Sequence, residues 1–174
     1  VHSFCHCLPN KWHLMSVMLS ASNCLDWICK ITNSSIQDTL KNVEEYFSDI
    51  NRLENTSFFL PYLSGERTPH NDPHIRGSFH SIKTTTDATN MQYAVIEGIS
   101  FGILDGINSI LKVNNKFENI YMVGGGSRSS FWIELLASLI NRNLSVCDQS
   151  EYGAALGVAR LGMFVDKKIS KQSI

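Results

Sequence analysis

Nowhere in the 174 residues does an apolar run approach the roughly 20 residues needed to span a bilayer. The longest, such as Ile99–Leu104, is interrupted by Ser100 and Gly102, so no membrane-spanning segment is expected. A basic start followed by an apolar stretch is also missing. The chain opens Val1-His2-Ser3-Phe4-Cys5-His6, which is unlike a secretory signal, and a cytoplasmic setting is expected. Neither sign of charge is in excess: 15 Lys and Arg stand against 16 Asp and Glu, for a net charge of −1. The basic residues are scattered and leave no electrostatic footprint for nucleic acid. The five cysteines are odd in number and four fall within the first 29 residues, unlike a disulfide framework, so reduced thiols are expected. His-Glu-x-x-His and spaced Cys-x-x-Cys motifs are absent, which removes support for zinc-enzyme readings.

What is present is an ordinary globular composition, 43% hydrophobic and 18% charged, sufficient for one compact α/β domain with a helical insertion. The chain opens without Met in a strand-like run and stops at Ser170–Ile174 soon after a helical pattern, so both ends look cut. His2, Cys5, His6 and Cys7 put four potential metal ligands within six residues. A strand would send Cys5 and Cys7 to one face and His2 and His6 to the other, which favours small apolar cysteines in a buried strand over a tetrahedral site.

From His13 to Ile28 apolar residues recur at helical spacing and predict a helix over about 12–30. Asn33-Ser34-Ser35 breaks it, and Ile36, Leu40, Val43 and Phe47 predict a second, more exposed helix, completing a helical hairpin. Ser57–Leu63 reads as a short buried strand that Pro61 confines to an edge or an end. A polar loop follows, and then the longest helical pattern, from an N-cap candidate at Asp87 to Leu111. Within it Gly98, Gly102 and Gly106 recur every fourth position, which suits close approach of another element. The last third alternates: strand Ile120–Val123, helix Ser129–Leu139, strand Leu144–Cys147, helix Gly153–Phe164. That order implies parallel strands joined by crossover helices.

Two segments carry chemistry. In Met122–Ser130 a buried strand runs into Gly124, Gly125 and Gly126 and then into a helix, presenting bare backbone and helix-start N–H groups to a nucleotide. The spacing matches neither the Walker A pattern nor the dinucleotide fingerprint. Gly125 is expected at the tip, with positive φ and its face toward the ligand. The loop Ser64–Pro73 offers Glu66 and His70 as an acid/base pair, but local pairing of Glu66 and Arg67 and turn formation by Pro69, Asn71, Asp72 and Pro73 is the stronger reading.

Trp12–Ala21, Phe59–Asn71, the glycine turn at 124–126 and Gly153–Arg160 together resemble, in the same order, the FGGY family of carbohydrate kinases. The glycine turn and the Ala-Leu-Gly helix are shared by glycerol, gluconate and ribulose kinases, while Leu60–Asn71 and Trp12–Ser20 point to the xylulose kinase branch. The resemblance implies an actin-like ATPase (ribonuclease H-like) domain with a mixed sheet and flanking helices, here the carboxy-terminal, nucleotide-binding part of a two-domain enzyme. By similarity Gly124, Gly125 and Gly126 lie along the adenosine of ATP, with Ser129 near the base and Asp26 as a further nucleotide contact. Mg²⁺ and ATP are the implied cofactors, and D-xylulose is the implied substrate, with a second copy in a homodimer left open. The family's catalytic aspartate, in a Gly-Asp-Asn-like segment, has no counterpart among these residues, so the chain alone is expected to be inactive. A kinase for another sugar or polyol, or an inactive nucleotide-binding remnant, remains as an alternative.

Overall fold

The computed structural model describes residues 1–48, 57–114, 117–147 and 152–166. It divides into two units, residues 1–116 and 117–174. The chain end at Ser170–Ile174 and the side chain of Phe47 lie outside the described residues.

In the first unit β1 (His2–Cys5) pairs antiparallel with β2 (Trp12–Met15), placing His2 opposite Met15. Helix α1 (Ala21–Ile31) starts only after Ser20, which corrects the helix predicted over 12–30. A continuous apolar run fits a strand as well as a helix. Here Trp12–Met15 finds a strand partner, and Val17 and Leu19 hydrogen-bond to Thr68 and Glu66 instead of to their own helical turn. After a turn with Asn33 in the left-handed region (φ 50°), Ser35 caps α2 (Ile36–Phe47) by accepting from the Asp38 N–H at 3.0 Å. The expected helical hairpin therefore forms, one strand later than predicted.

Strand β3 (Phe58–Leu60) buries only Phe59 and pairs antiparallel with β4 (Ser78–His80). No sequence signal marked β4 within its polar loop. Its contribution to packing is Phe79, whose ring lies 4.7 Å from that of Phe59, with Trp27 of α1 stacked on both.

Helix α3 (Ala88–Leu111) has the predicted cap: the Asp87 carboxylate accepts from the Asn90 N–H at 2.8 Å. Val95, Ile96 and Ile99 are fully buried, each worth about 1.5–3 kcal/mol of apolar burial. By length and composition α3 could cross a membrane, but it packs against α1, α2 and β3, and 44% of its apolar window is buried within the protein. Its glycines form the foreseen notches. A Cβ on Gly98 would strike the Phe59 carbonyl, one on Gly102 would meet the tip of Met18, and one on Gly106 would come within 2.7 Å of Ser16 Oγ.

A tyrosine–glutamate pair is built into α3. The Tyr93 hydroxyl donates to Glu97 Oε1 at 3.0 Å, and burial pushes the Glu97 carboxyl above its usual range although this hydrogen bond opposes the shift. A raised folded-state value means that the stability Glu97 contributes is complete below 4.5 and is lost as pH rises through the folded value. Glu97→Gln, which keeps an acceptor for Tyr93, should therefore gain melting temperature over the parent as pH rises from 5 to 8 (a range of ~3 units). A gap that stays constant with pH would contradict this.

In the second unit β5 (Ile120–Met122) pairs parallel with β6 (Leu144–Val146), joined by α4 (Ser130–Ile140), as the alternation implied. Trp132 and Leu136 are buried, and Asn141 in the left-handed region ends α4. Helix α5 (Gly153–Val165) follows and buries no residue. The expectation of one mixed sheet needs correction: among the described residues the strands form three separate two-stranded ladders, four strands in the first unit and two in the second. At three or four residues each, these strands are short.

Candidate functional site: a glycine turn at the start of a helix

Three adjacent glycines leave β5 for different physical reasons. Gly124 adopts φ 88° and ψ −169°, a region open essentially to glycine alone. Gly126 is a packing residue, since a Cβ there would lie 3.0 Å from Met122 Cε and 3.5 Å from the Trp132 ring. Gly125 is exposed, and a Cβ on it would meet nothing within 4 Å. The expectation of positive φ at Gly125 is thus corrected: the reversal is made one residue earlier, at Gly124.

From Gly125 to Arg128 the chain winds a short 3-10 turn, closed by Ser127 N–H to the Gly124 carbonyl at 3.1 Å and by Ser127 Oγ to the same carbonyl at 2.7 Å. Ser129 then caps α4, accepting from the Trp132 N–H at 3.2 Å. Its hydroxyl keeps a proton to donate outward. The result is an open backbone face at Gly124–Gly125 beside the electropositive start of an eleven-residue helix, suited to a flat polar ring or an anionic group.

Gly124, Gly125, Gly126 and Ser129 thus sit in one turn of the second unit. Asp26 belongs to the first, on the exposed side of α1, where it lines a cavity of about 600 Å³ with Cys29, Lys30 and the Asn33–Ile36 turn.

The Glu66–His70 acid/base pair does not form. Glu66 is 2% exposed, and its Oε1 accepts from the N–H groups of Leu19 at 3.0 Å and Arg67 at 2.7 Å. His70 Nε2 instead meets the Tyr62 hydroxyl at 2.9 Å. The turns of the stronger reading are found, with Asn71 at φ 50° and Asp72 Oδ1 accepting from the His74 N–H, while the pairing with a chain neighbour is limited to Glu66 and the Arg67 N–H. Sequence reasoning missed the Leu19 contact, which spans 47 positions and has no local signature.

All five cysteines are free. Cys5 and Cys7 are exposed, correcting the buried-strand reading, because both faces of the β1–β2 hairpin are largely open. Cys24 and Cys29 are the buried pair. Burial, reinforced by the charge of Glu66, pushes the Cys24 thiol up to about 12. Among the described residues no three His, Cys, Asp or Glu side chains converge on a metal position.

The pattern of the FGGY family of carbohydrate kinases, C-terminal domain, matches residues 1–165. The chain is 40% identical over 164 residues to the xylulose kinase of Escherichia coli K12, covering 92% of this chain and 33% of that protein. A crystal structure described as a xyloylose kinase from Brucella ovis superposes with a TM-score of 0.87 at 37% identity, over 97% of this chain and 34% of that one. The glycerol kinase of Plasmodium falciparum with ADP reaches a TM-score of 0.75 at 18% identity, over 88% of this chain and 30% of its own, which speaks to the fold alone. This chain belongs to the FGGY family of carbohydrate kinases and corresponds to its carboxy-terminal domain. It spans about a third of the length of the relatives it matches.

Proposed function

We propose that this chain forms the nucleotide-binding part of a xylulose kinase, which transfers the terminal phosphoryl group of ATP to the 5-hydroxyl of D-xylulose. The domain class that goes with this reading is the actin-like ATPase (ribonuclease H-like) fold, and the setting is the cytoplasm. The open face at Gly124–Gly125 is the observation that carries the nucleotide assignment, because side-chain-free backbone beside a helix start fits an adenosine moiety. Gly124 supplies the reversal, Gly126 anchors the turn on Trp132, and Ser129 holds the first turn of α4 while offering its hydroxyl proton to the base. Asp26, on α1, is a further nucleotide contact in this reading.

Phosphoryl transfer is mostly positioning and charge neutralisation, and bound ATP with Mg²⁺ supplies the phosphoryl donor and its neutralising cation. Among the described residues no three His, Cys, Asp or Glu side chains converge, and no residue of this chain is assigned to the ion, which ATP itself holds largely through its phosphates. The base and the sugar contacts are assigned to the remaining two thirds of the enzyme, so this chain by itself binds without turning over.

The direct experiment is a coupled ADP-release assay on the full-length gene product with D-xylulose, glycerol and gluconate. The expected result is a kcat/KM for D-xylulose at least about tenfold above the others. Preference for glycerol or gluconate would replace the assignment with a kinase for that compound. Absence of turnover on all three would favour the inactive remnant.

A further inference from the structure

The segment between β2 and α1, residues 16–20, is held from two sides. One side lies in the α3 notches, Ser16 at Gly106 and Met18 at Gly102. Along the other runs the stretch 61–68, which contacts the segment and the first turn of α1 at successive points. Thr68 and Val17 exchange two hydrogen bonds: Thr68 N–H to the Val17 carbonyl at 3.1 Å, and Val17 N–H to Thr68 Oγ1 at 3.2 Å. Leu19 N–H donates to Glu66 Oε1, Ser64 N–H donates to Ser20 Oγ at 3.0 Å, and the Cys24 thiol donates to the Pro61 carbonyl at 3.4 Å.

Among these contacts Glu66 supplies the buried carboxylate. It holds the last amide before the cap Ser20, and the backbone of Glu66 is fixed by a reciprocal pair with Asp72, both at 2.9 Å. Gly65 lets the chain make this approach: it has φ 78°, and a Cβ on it would lie 2.8 Å from the Pro73 carbonyl oxygen. Ser20 in turn passes the constraint into α1, because its carbonyl accepts the Cys24 N–H at 2.8 Å. Asp26 lies two residues further along the same helix.

We infer that Glu66 is a positioning residue for the nucleotide side of the reaction: its buried carboxylate fixes the strap 16–20 and thereby sets the first turns of α1 that present Asp26. This rests on the reading of Asp26 as a nucleotide contact. Removing the carboxylate leaves the half-buried Leu19 N–H without its acceptor, and α1 relaxes from its N-terminus. A helix displaced by a fraction of an ångström still folds and still carries Asp26, but presents it poorly.

The test uses the full-length enzyme with Glu66→Ala, Glu66→Gln and, for comparison, Asp26→Asn. In Glu66→Ala, hydrogen-exchange protection of the Leu19 and Cys24–Ile28 amides should fall about tenfold, while that of Ile96 and Ile99 in α3 falls less. The KM for ATP should rise about fivefold, with the KM for the sugar and kcat within about twofold. Glu66→Gln, which retains an amide oxygen for Leu19, should recover most of both effects, and if the alanine variant does not fold, Glu66→Asp, whose shorter side chain falls short of the Leu19 N–H, should show the same pattern of losses at smaller size. Unchanged α1 protection, or an even loss across α1 and α3 without the KM split, would overturn the inference. If Asp26→Asn leaves the KM for ATP unchanged, the nucleotide assignment of Asp26 fails separately, and the protection pattern still decides whether Glu66 positions α1.

Discussion

Replacing Gly125 with valine in the full-length enzyme should raise the KM for ATP about tenfold or more, leave the KM for the sugar within about twofold, and hardly change the melting temperature. The combination follows from the site. Gly125 has no need of a left-handed φ, and its missing Cβ faces open space, so the isolated protein accommodates a side chain there. Only a ligand lying along the turn would meet the new methyl groups. The neighbouring positions behave differently. Gly124→Val forces a branched side chain into φ 88° and should cost about 1–3 kcal/mol of stability whether or not nucleotide binds. Gly126→Val must displace Met122 and press on Trp132, and again costs stability first. If Gly125→Val leaves the KM for ATP unchanged, adenosine does not lie along this turn.

The second large effect is expected in the core and has no connection with nucleotide. Gly98→Ala should destabilise the protein by roughly 3 kcal/mol, although alanine favours helices by about 1 kcal/mol over glycine. The added carbon would run into the Phe59 carbonyl, which is backbone of β3 and cannot swing away as a side chain does. Moving β3 also disturbs the Trp27–Phe59–Phe79 stack, so the loss should appear in tryptophan fluorescence as well as in thermal unfolding. Gly162→Ala in α5 is the contrasting case. A Cβ there meets nothing within 4 Å, and only the propensity gain of about 1 kcal/mol remains. Equal effects at the two sites would show that the α3 notch is not tightly filled.

Much of this fold could be read from local signals. Asp87 followed by apolar positions at three and four announced α3, and Ser129 before Phe131-Trp132 announced α4. The glycines every fourth residue announced the notch on α3. The misses share a cause, which is that the deciding partner lies far away in sequence. Leu14, Met15, Val17, Met18 and Leu19 have helical spacing, and only the pairing with His2–Cys5 and the contacts to Glu66 and Thr68 keep them out of a helix. Strand β4 is polar except for Phe79, and it exists because β3 pairs with it.

The site was legible to a similar depth. The strand, glycine turn and helix of the candidate site followed from the sequence order, but the division of labour among the glycines did not. Which one reverses the chain depends on how the turn closes onto the Gly124 carbonyl, and which one packs depends on Trp132. The role of Glu66 was hidden for the same reason as the strap it holds, because a buried carboxylate serving a backbone amide 47 positions away leaves no pattern of spacing.

Photoaffinity labelling of the full-length enzyme with a 2-azido-adenine analogue of ATP, followed by peptide mapping, tests the central claim most directly. Label should appear in the peptide spanning residues 122–132, which contains the glycine turn and the start of α4. Excess ATP should suppress it and D-xylulose should not. Efficient ATP-protected labelling elsewhere, with none in that peptide, would contradict the assignment of this turn to adenosine.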